Sequence, residues 1–249
     1  MTPLAALAVA GAGLAAGTVN TIVGSGSLIT FPTLLAFGFA PVVANVSNTV
    51  GLVPGSLSGA VAYRAELRGQ RARLLVLGTA STAGGITGGA LLLALPGSVF
   101  RTVVPALILV ACALVAGQPW LGARLARRRH RRPHGGPALF GSVFATGVYG
   151  GYFGAAQGVI LISLLGIFLP DDLQRLNAAK NVLALVVNGV AAVLFIALTH
   201  VSWEAAGLVA AGSVVGGQVG GRLGRRVPAP LLRVVIVVVG VVAAVILLV

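Results

Sequence analysis

Of the 249 residues, 57% are hydrophobic and 8% charged, and the mean hydropathy is +1.04. A soluble domain carries roughly a quarter charged residues, so water is not the main solvent of this chain. The net charge of +13 is gathered in arginine loops between apolar runs, which fits membrane insertion and argues against a nucleic-acid-binding face.

No Lys, Arg, Asp or Glu occurs in 1–63, 74–100, 138–170 or 234–249. Apolar runs of ~18 or more residues read as membrane spans, and several of them exclude a peripheral protein. The N-terminus lacks the basic start of a signal peptide and reads as a retained first span. A single cysteine, Cys112, forbids an intrachain disulfide and reads as span packing.

The first predicted span is Pro3–Val23, followed by a short arm, Leu28–Phe39. The Gly24-Ser25-Gly26-Ser27 break separates them. A twelve-residue helix covers ~18 Å, against a hydrocarbon core of ~30 Å. The arm therefore stops about halfway across. A backbone break inside lipid survives only where protein or a watery cavity satisfies its polar groups. These residues are expected to line a cavity, with the positive end of a helix dipole facing an anion. Glycines that only let helices pack closely are the alternative.

Val42–Tyr63 follows and carries Asn45, Ser47, Asn48 and Thr49. Asn45 and Asn48 share a helical face and could bond an oxyanion or hold helices together. Arg64, Arg68, Arg71 and Arg73, with Glu66, make a basic loop before the pair Leu74–Leu95 and Thr102–Gly117. Arg124 through Arg132 form the strongest basic loop, ending in Pro133-His134-Gly135-Gly136-Pro137.

The second half opens with Ala138–Phe153 and a second break, Gly154-Ala155-Ala156-Gln157-Gly158, then a short arm, Val159–Leu169. The predicted spans Asn181–Leu198, Ala205–Gly221 and Leu231–Val249 complete the chain. Lys180 is the only lysine and stands in Asn177-Ala178-Ala179-Lys180-Asn181. It either lies deep, partnered by Asn177 and Asn181, or reaches the cytoplasmic surface from a helix end. Asp171, Asp172 and Arg175 read as a solvated turn. Trp203 reads as an interfacial anchor. Glu204 reads as a helix-start acid, with proton coupling as the alternative.

Gly17, Gly24, Leu34 and Leu35 match Gly147, Gly154, Leu164 and Leu165 at one constant offset, and Asn48 matches Asn181 after a short insertion. Loops 64–73, 124–132 and 222–226 are Arg-rich and expected on the cytoplasmic side. Counting from them gives two halves of opposite orientation, each a hairpin plus three crossings, with both termini outside. The expected fold is an all-α polytopic membrane protein: an inverted repeat of two helical bundles with broken, re-entrant half-helices. Its divisions are a first repeat at 1–118, a basic cytoplasmic linker at 119–137 and a second repeat at 138–249. Paired, interrupted segments in corresponding halves point to a transporter's solute site.

No nucleophile–base set and no metal-ligand spacing is present, so neither an enzyme, a metal nor a cofactor is expected. The expected partners are the lipid bilayer and a small anionic solute, with no nucleic acid. The site residues expected to hold that solute are Gly24, Ser25, Gly26, Ser27, Asn45, Asn48, Gly154, Gln157, Gly158, Asn177, Lys180 and Asn181.

The Gly24–Pro32 break, the Asn48-Thr49 pair, the Asn177–Asn181 segment and Gly216-Gly217-Gln218-Val219-Gly220-Gly221-Arg222-Leu223 together resemble the TauE/SafE sulfite exporter family. The resemblance extends over nearly the whole chain. It implies a carrier in the bacterial inner membrane for small sulfur-containing anions such as sulfite, sulfoacetate or related organosulfonates. An anion channel or a non-transporting membrane partner protein remains the alternative.

Overall fold

The computed structural model describes residues 1–126 and 136–223, with 234, 237–242, 244 and 245 of the closing segment. The arginine-rich linker beyond Ala126, with His130 and His134, lies outside the described residues. So do Arg225, Arg226 and parts of the expected Leu231–Val249 span.

The described structure is helical throughout its ordered elements. These are α1 (Pro3–Ile22), α2 (Ser27–Ala36), α3 (Pro41–Ala62), α4 (Arg71–Ala94), α5 (Gly97–Ala126), α6 (Gly136–Tyr152), α7 (Gln157–Phe168), α8 (Leu173–Leu198) and α9 (Trp203–Leu223). Among the described residues, α1, α4, α8 and the Gly97–Gly117 part of α5 are long and apolar enough to cross a membrane. Large apolar side chains such as Leu4, Leu7, Leu75 and Val193 face outward, as a lipid-facing surface requires.

Local chemistry explains the helix ends. Pro3 and Pro41 open α1 and α3, where a missing N–H loses no hydrogen bond. Asp172 caps α8, accepting from the Gln174 and Arg175 amides at 3.0 Å. That cap starts α8 at Leu173 rather than at the expected Asn181, so Lys180 lies about two turns inside the helix. Helix α5 also exceeds its expected bounds, Thr102–Gly117. The turn expected at 96–101 contracts accordingly.

Both breaks are present, and they close alike. The Val23 and Gly24 amides each bond the Val19 carbonyl, at 2.7 and 3.1 Å. The Phe153 and Gly154 amides each bond the Tyr149 carbonyl, at 3.0 and 3.2 Å. Gly24 (φ +92°) and Gly154 (φ +78°) take the left-handed turn that ends a helix in this way. Helices α2 and α7, of 10 and 12 residues, run on as half-length arms.

Glycine faces set the packing. Gly13 lies on Val209 and Gly17 on Ser213, while the Thr18 hydroxyl donates to the Gly216 carbonyl at 3.1 Å. Paired positions advance together, so α1 and α9 run parallel. The same holds for α3 with α9, through Gly51 on Val209 and Gly55 on Ser213. It holds again for α4 with α6, through Gly84 on Phe144 and Gly88 on Val148, and for α4 with α8, through Gly85 on Val187 and Gly89 on Ala191. Small residues let these backbones approach closely, and hydroxyl-to-carbonyl bonds such as Ser213 to Gly51 at 3.1 Å add to the contact. Two groups result: α1, α3 and α9 in one, α4, α6 and α8 in the other. Helix α3 also packs on α8 and joins the groups.

Candidate functional site

The two breaks cross. The Gly158 amide, in the first turn of α7, donates to the Gly24 carbonyl at 3.0 Å. A Cβ on either glycine would strike the other's backbone. The breaks thus lie against each other. One of the amides expected to face an anion already has a protein acceptor.

Around this crossing the polar residues form two matched clusters. Helix α8 serves the end of α1: the Lys180 ammonium donates to the Asn20 and Thr21 carbonyls at 3.0 and 3.2 Å. Asn177 and Asn181 donate to the Thr21 carbonyl at 3.2 and 3.4 Å. These carbonyls are the negative end of the α1 dipole, with few helical donors of their own. Lys180 is 0% exposed and does not reach the surface. A charge so placed must be compensated, and the helix end does this.

Helix α3 serves the end of α6 in the same sense. Asn45 donates to the Tyr152 carbonyl at 3.1 Å. Asn48 donates to the Ser27 hydroxyl at 3.1 Å and accepts from the Thr30 hydroxyl. It therefore ties α3 to the first turn of α2. Gln157 lies flat on Gly150 of α6, where any side chain at 150 would collide with its amide.

All twelve expected residues are gathered at this crossing. Ser27 and Gly154 are half-buried and the other ten are buried. Among their buried polar atoms, Ser25 Oγ, Gln157 Nε2, Asn45 Oδ1 and Asn177 Oδ1 have no hydrogen-bond partner among the described residues. Natural interiors leave few such atoms, and each asks for a reason. The sequence reading missed the Asn20, Thr21 and Tyr152 carbonyls and the Thr30 hydroxyl. Backbone acceptors carry no residue-type signal; Thr30 could have been found, at one helical turn beyond Gly26.

Two structures flank the crossing. On one side, Phe31, Phe100, Tyr152 and Phe153 form an edge-to-face aromatic cluster, with centroids 5.4–6.4 Å apart. On the other, Asp171 pairs with Arg73 and, at 3.4 Å, with Arg175. The Gln70 amide bonds the Arg175 carbonyl at 3.0 Å, and Arg175 reaches the Arg68 carbonyl at 3.1 Å. Burial pushes the Asp171 carboxyl up, but the Arg73 and Arg175 guanidiniums outweigh it and hold it below the usual carboxylate value. The turn read as solvated charges is thus a network joining the two halves of the chain.

A lipid-facing helical bundle whose two interrupted helices meet at buried polar clusters defines a polytopic membrane transport protein. The family model described as Sulfite exporter TauE/SafE matches residues 9–247, and the chain belongs to that family. It is 28% identical over 236 residues to "Probable membrane transporter protein YfcA" of Escherichia coli (strain K12), covering 90% of this chain and 82% of that protein. It is 26% identical over 212 residues to a "Probable membrane transporter protein" of Haemophilus influenzae, covering 83% and 80%. The "Probable membrane transporter protein ORF9" of Sinorhizobium sp is 27% identical over 234 residues, covering 94% and 88%. No solved structure matches the chain.

Proposed function

We propose that the chain carries small sulfur-containing anions, such as sulfite, sulfoacetate or related organosulfonates, out of the cell by alternating access. The crossing of the two breaks is the solute site. The observation that carries this reading is the contact of Gly158 with Gly24, with buried Lys180 at the adjoining helix end. Lys180 supplies the basic group, and the first turns of α2 and α7 add positive dipole ends. Ser25 and Gln157 supply hydrogen-bond donors that lack protein partners.

The closed crossing supports a state between two accesses. The aromatic cluster would shut one side and the Arg73–Asp171–Arg175 network the other. Opening either one while the other stays closed gives a carrier rather than a pore. An inverted arrangement of the halves accords with the parallel pairing inside each helix group. In that reading α3 and α4, joined by 63–70, run oppositely, and so do the equivalent helices of the two halves. The Arg-rich loops then face the cytoplasm of a bacterial inner membrane, with both termini outside.

The test is uptake of radiolabelled sulfite and sulfoacetate by proteoliposomes. Native protein is expected to give saturable flux, and Lys180→Met to lose it at unchanged insertion. Normal flux in Lys180→Met removes Lys180 from the mechanism. Unsaturable flux, or single-channel steps, makes the protein a channel.

A further inference from the structure

Away from the crossing, a groove of about 730 Å³ runs along the outer side of the bundle between α4 and α8. Leu75, Gly78, Ile86, Val182 and Val186 line it, and Arg71 stands at one end. We infer that this groove binds an anionic phospholipid, with an acyl chain between the helices and the phosphate on Arg71.

Shape supports the acyl chain. From Arg71 to Ile86, α4 rises about 22 Å, more than one leaflet's share of a hydrocarbon core of ~30 Å. The groove thus runs from a helix end to beyond mid-membrane, the reach of one lipid tail. Its bed is open at Gly78, where an added Cβ would meet no atom within 4 Å. The walls are aliphatic, exposed at Leu75 and Ile86 and half-buried at Leu74, Val182 and Val186, with only Thr79 and Thr82 to break them. The Thr79 hydroxyl is turned back to the Val76 carbonyl.

Charge selects the headgroup. Arg71 is exposed and makes no hydrogen bond or ion pair among the described residues. Arg73, two residues on, is committed to Asp171 and Gln70. A planar guanidinium at a bilayer boundary is matched to a phosphate oxyanion. A second copy of the chain offers a poorer match. The sequence has four acids. Asp171 is paired with arginines, Asp172 caps α8, Glu204 bonds the N-terminal amine, and Glu66 has a partner of its own. Among the described residues each side-chain carboxylate already has a partner, whereas a lipid brings its own anion.

The test is native mass spectrometry of the full chain in detergent, titrated with dioleoyl phosphatidylglycerol or dioleoyl phosphatidylcholine. The native protein is expected to hold phosphatidylglycerol about fivefold more tightly or better. Arg71→Gln is expected to erase that preference, and Arg64→Gln to keep it. Gly78→Leu fills the groove and is expected to weaken both lipids without changing the number of subunits. Equal binding of the two lipids by native protein overturns the inference without recourse to any variant. Retained preference in Arg71→Gln overturns the phosphate contact. A dimer that falls to monomer in Gly78→Leu, with lipid adducts unchanged, gives the groove to a second copy and also overturns it.

Discussion

Replacing Gly158 by alanine tests the contact of the two breaks directly. The new methyl would meet the Gly24 Cα, with the Gly24 carbonyl oxygen and carbon at 3.0 and 3.1 Å. All three are backbone atoms, so no side chain can swing aside. Overpacking of this kind costs about 1–3 kcal/mol. Separating the strands of the crossing also sacrifices the Gly158–Gly24 hydrogen bond, about 0.5–1.5 kcal/mol more. The expected loss is therefore ~1.5–4.5 kcal/mol, read as a lower thermal midpoint in detergent, and flux should fall with it. Gly207→Ala is the control, because its Cβ meets nothing within 4 Å on a helical backbone. Alanine there is expected to be neutral or to stabilise by up to ~1 kcal/mol. If Gly158→Ala melts and transports like native protein, the breaks do not touch in the working protein and the reasoning fails.

Three other outcomes are expected. Phe153→Ala removes a ring lying 5.4 Å from Phe31 and 6.1 Å from Phe100, and should lower stability by about 3–5 kcal/mol in thermal unfolding; Phe153→Leu, which keeps most of the volume, should lose much less, and a loss as large as that of Phe153→Ala would contradict a space-filling role. The Asp171 carboxyl has a lowered pKa in the fold, so its stabilising effect is complete above the unfolded value of ~3.9 and disappears as pH falls through the lower folded one. Melting between pH 2 and pH 7 should show that acid-side loss in native protein and a reduced slope in Asp171→Asn, and identical slopes would contradict the pairing. A reporter active only in the cytoplasm should stay silent at the C-terminus, and a bright signal would reverse the proposed orientation.

The breaks were legible because glycine marks a backbone that departs from the helix. An arm of ten to twelve residues is also too short to cross. Lys180 was legible as an oddity, a single lysine among arginines, but its depth was not. Depth depends on where α8 begins, and the Asp172 cap that fixes it was read as part of a solvated turn. Most other glycines serve close packing, as the alternative reading allowed. Gly13, Gly17, Gly212 and Gly216 recur at helical spacing, which signals an interface but does not say which helix covers it. That choice depends on contacts between residues nearly 200 positions apart. Both breaks were expected to contribute to one site, but not to touch through Gly24 and Gly158. Their mutual contact needs three-dimensional placement, which no local pattern supplies.

The grouping of α9 with α1 and α3, and of α4 with α6 and α8, means that each half lends one helix to the other. In the proposed alternating access the units that would rock are therefore interleaved along the chain rather than consecutive. Flexing between them would then concentrate in the connections that pass from one block to the other, 63–70 and 199–202. A polypeptide severed between α5 and α6 would yield two fragments with bare glycine-rich faces. Neither should be able to complete its own block until its counterpart arrives.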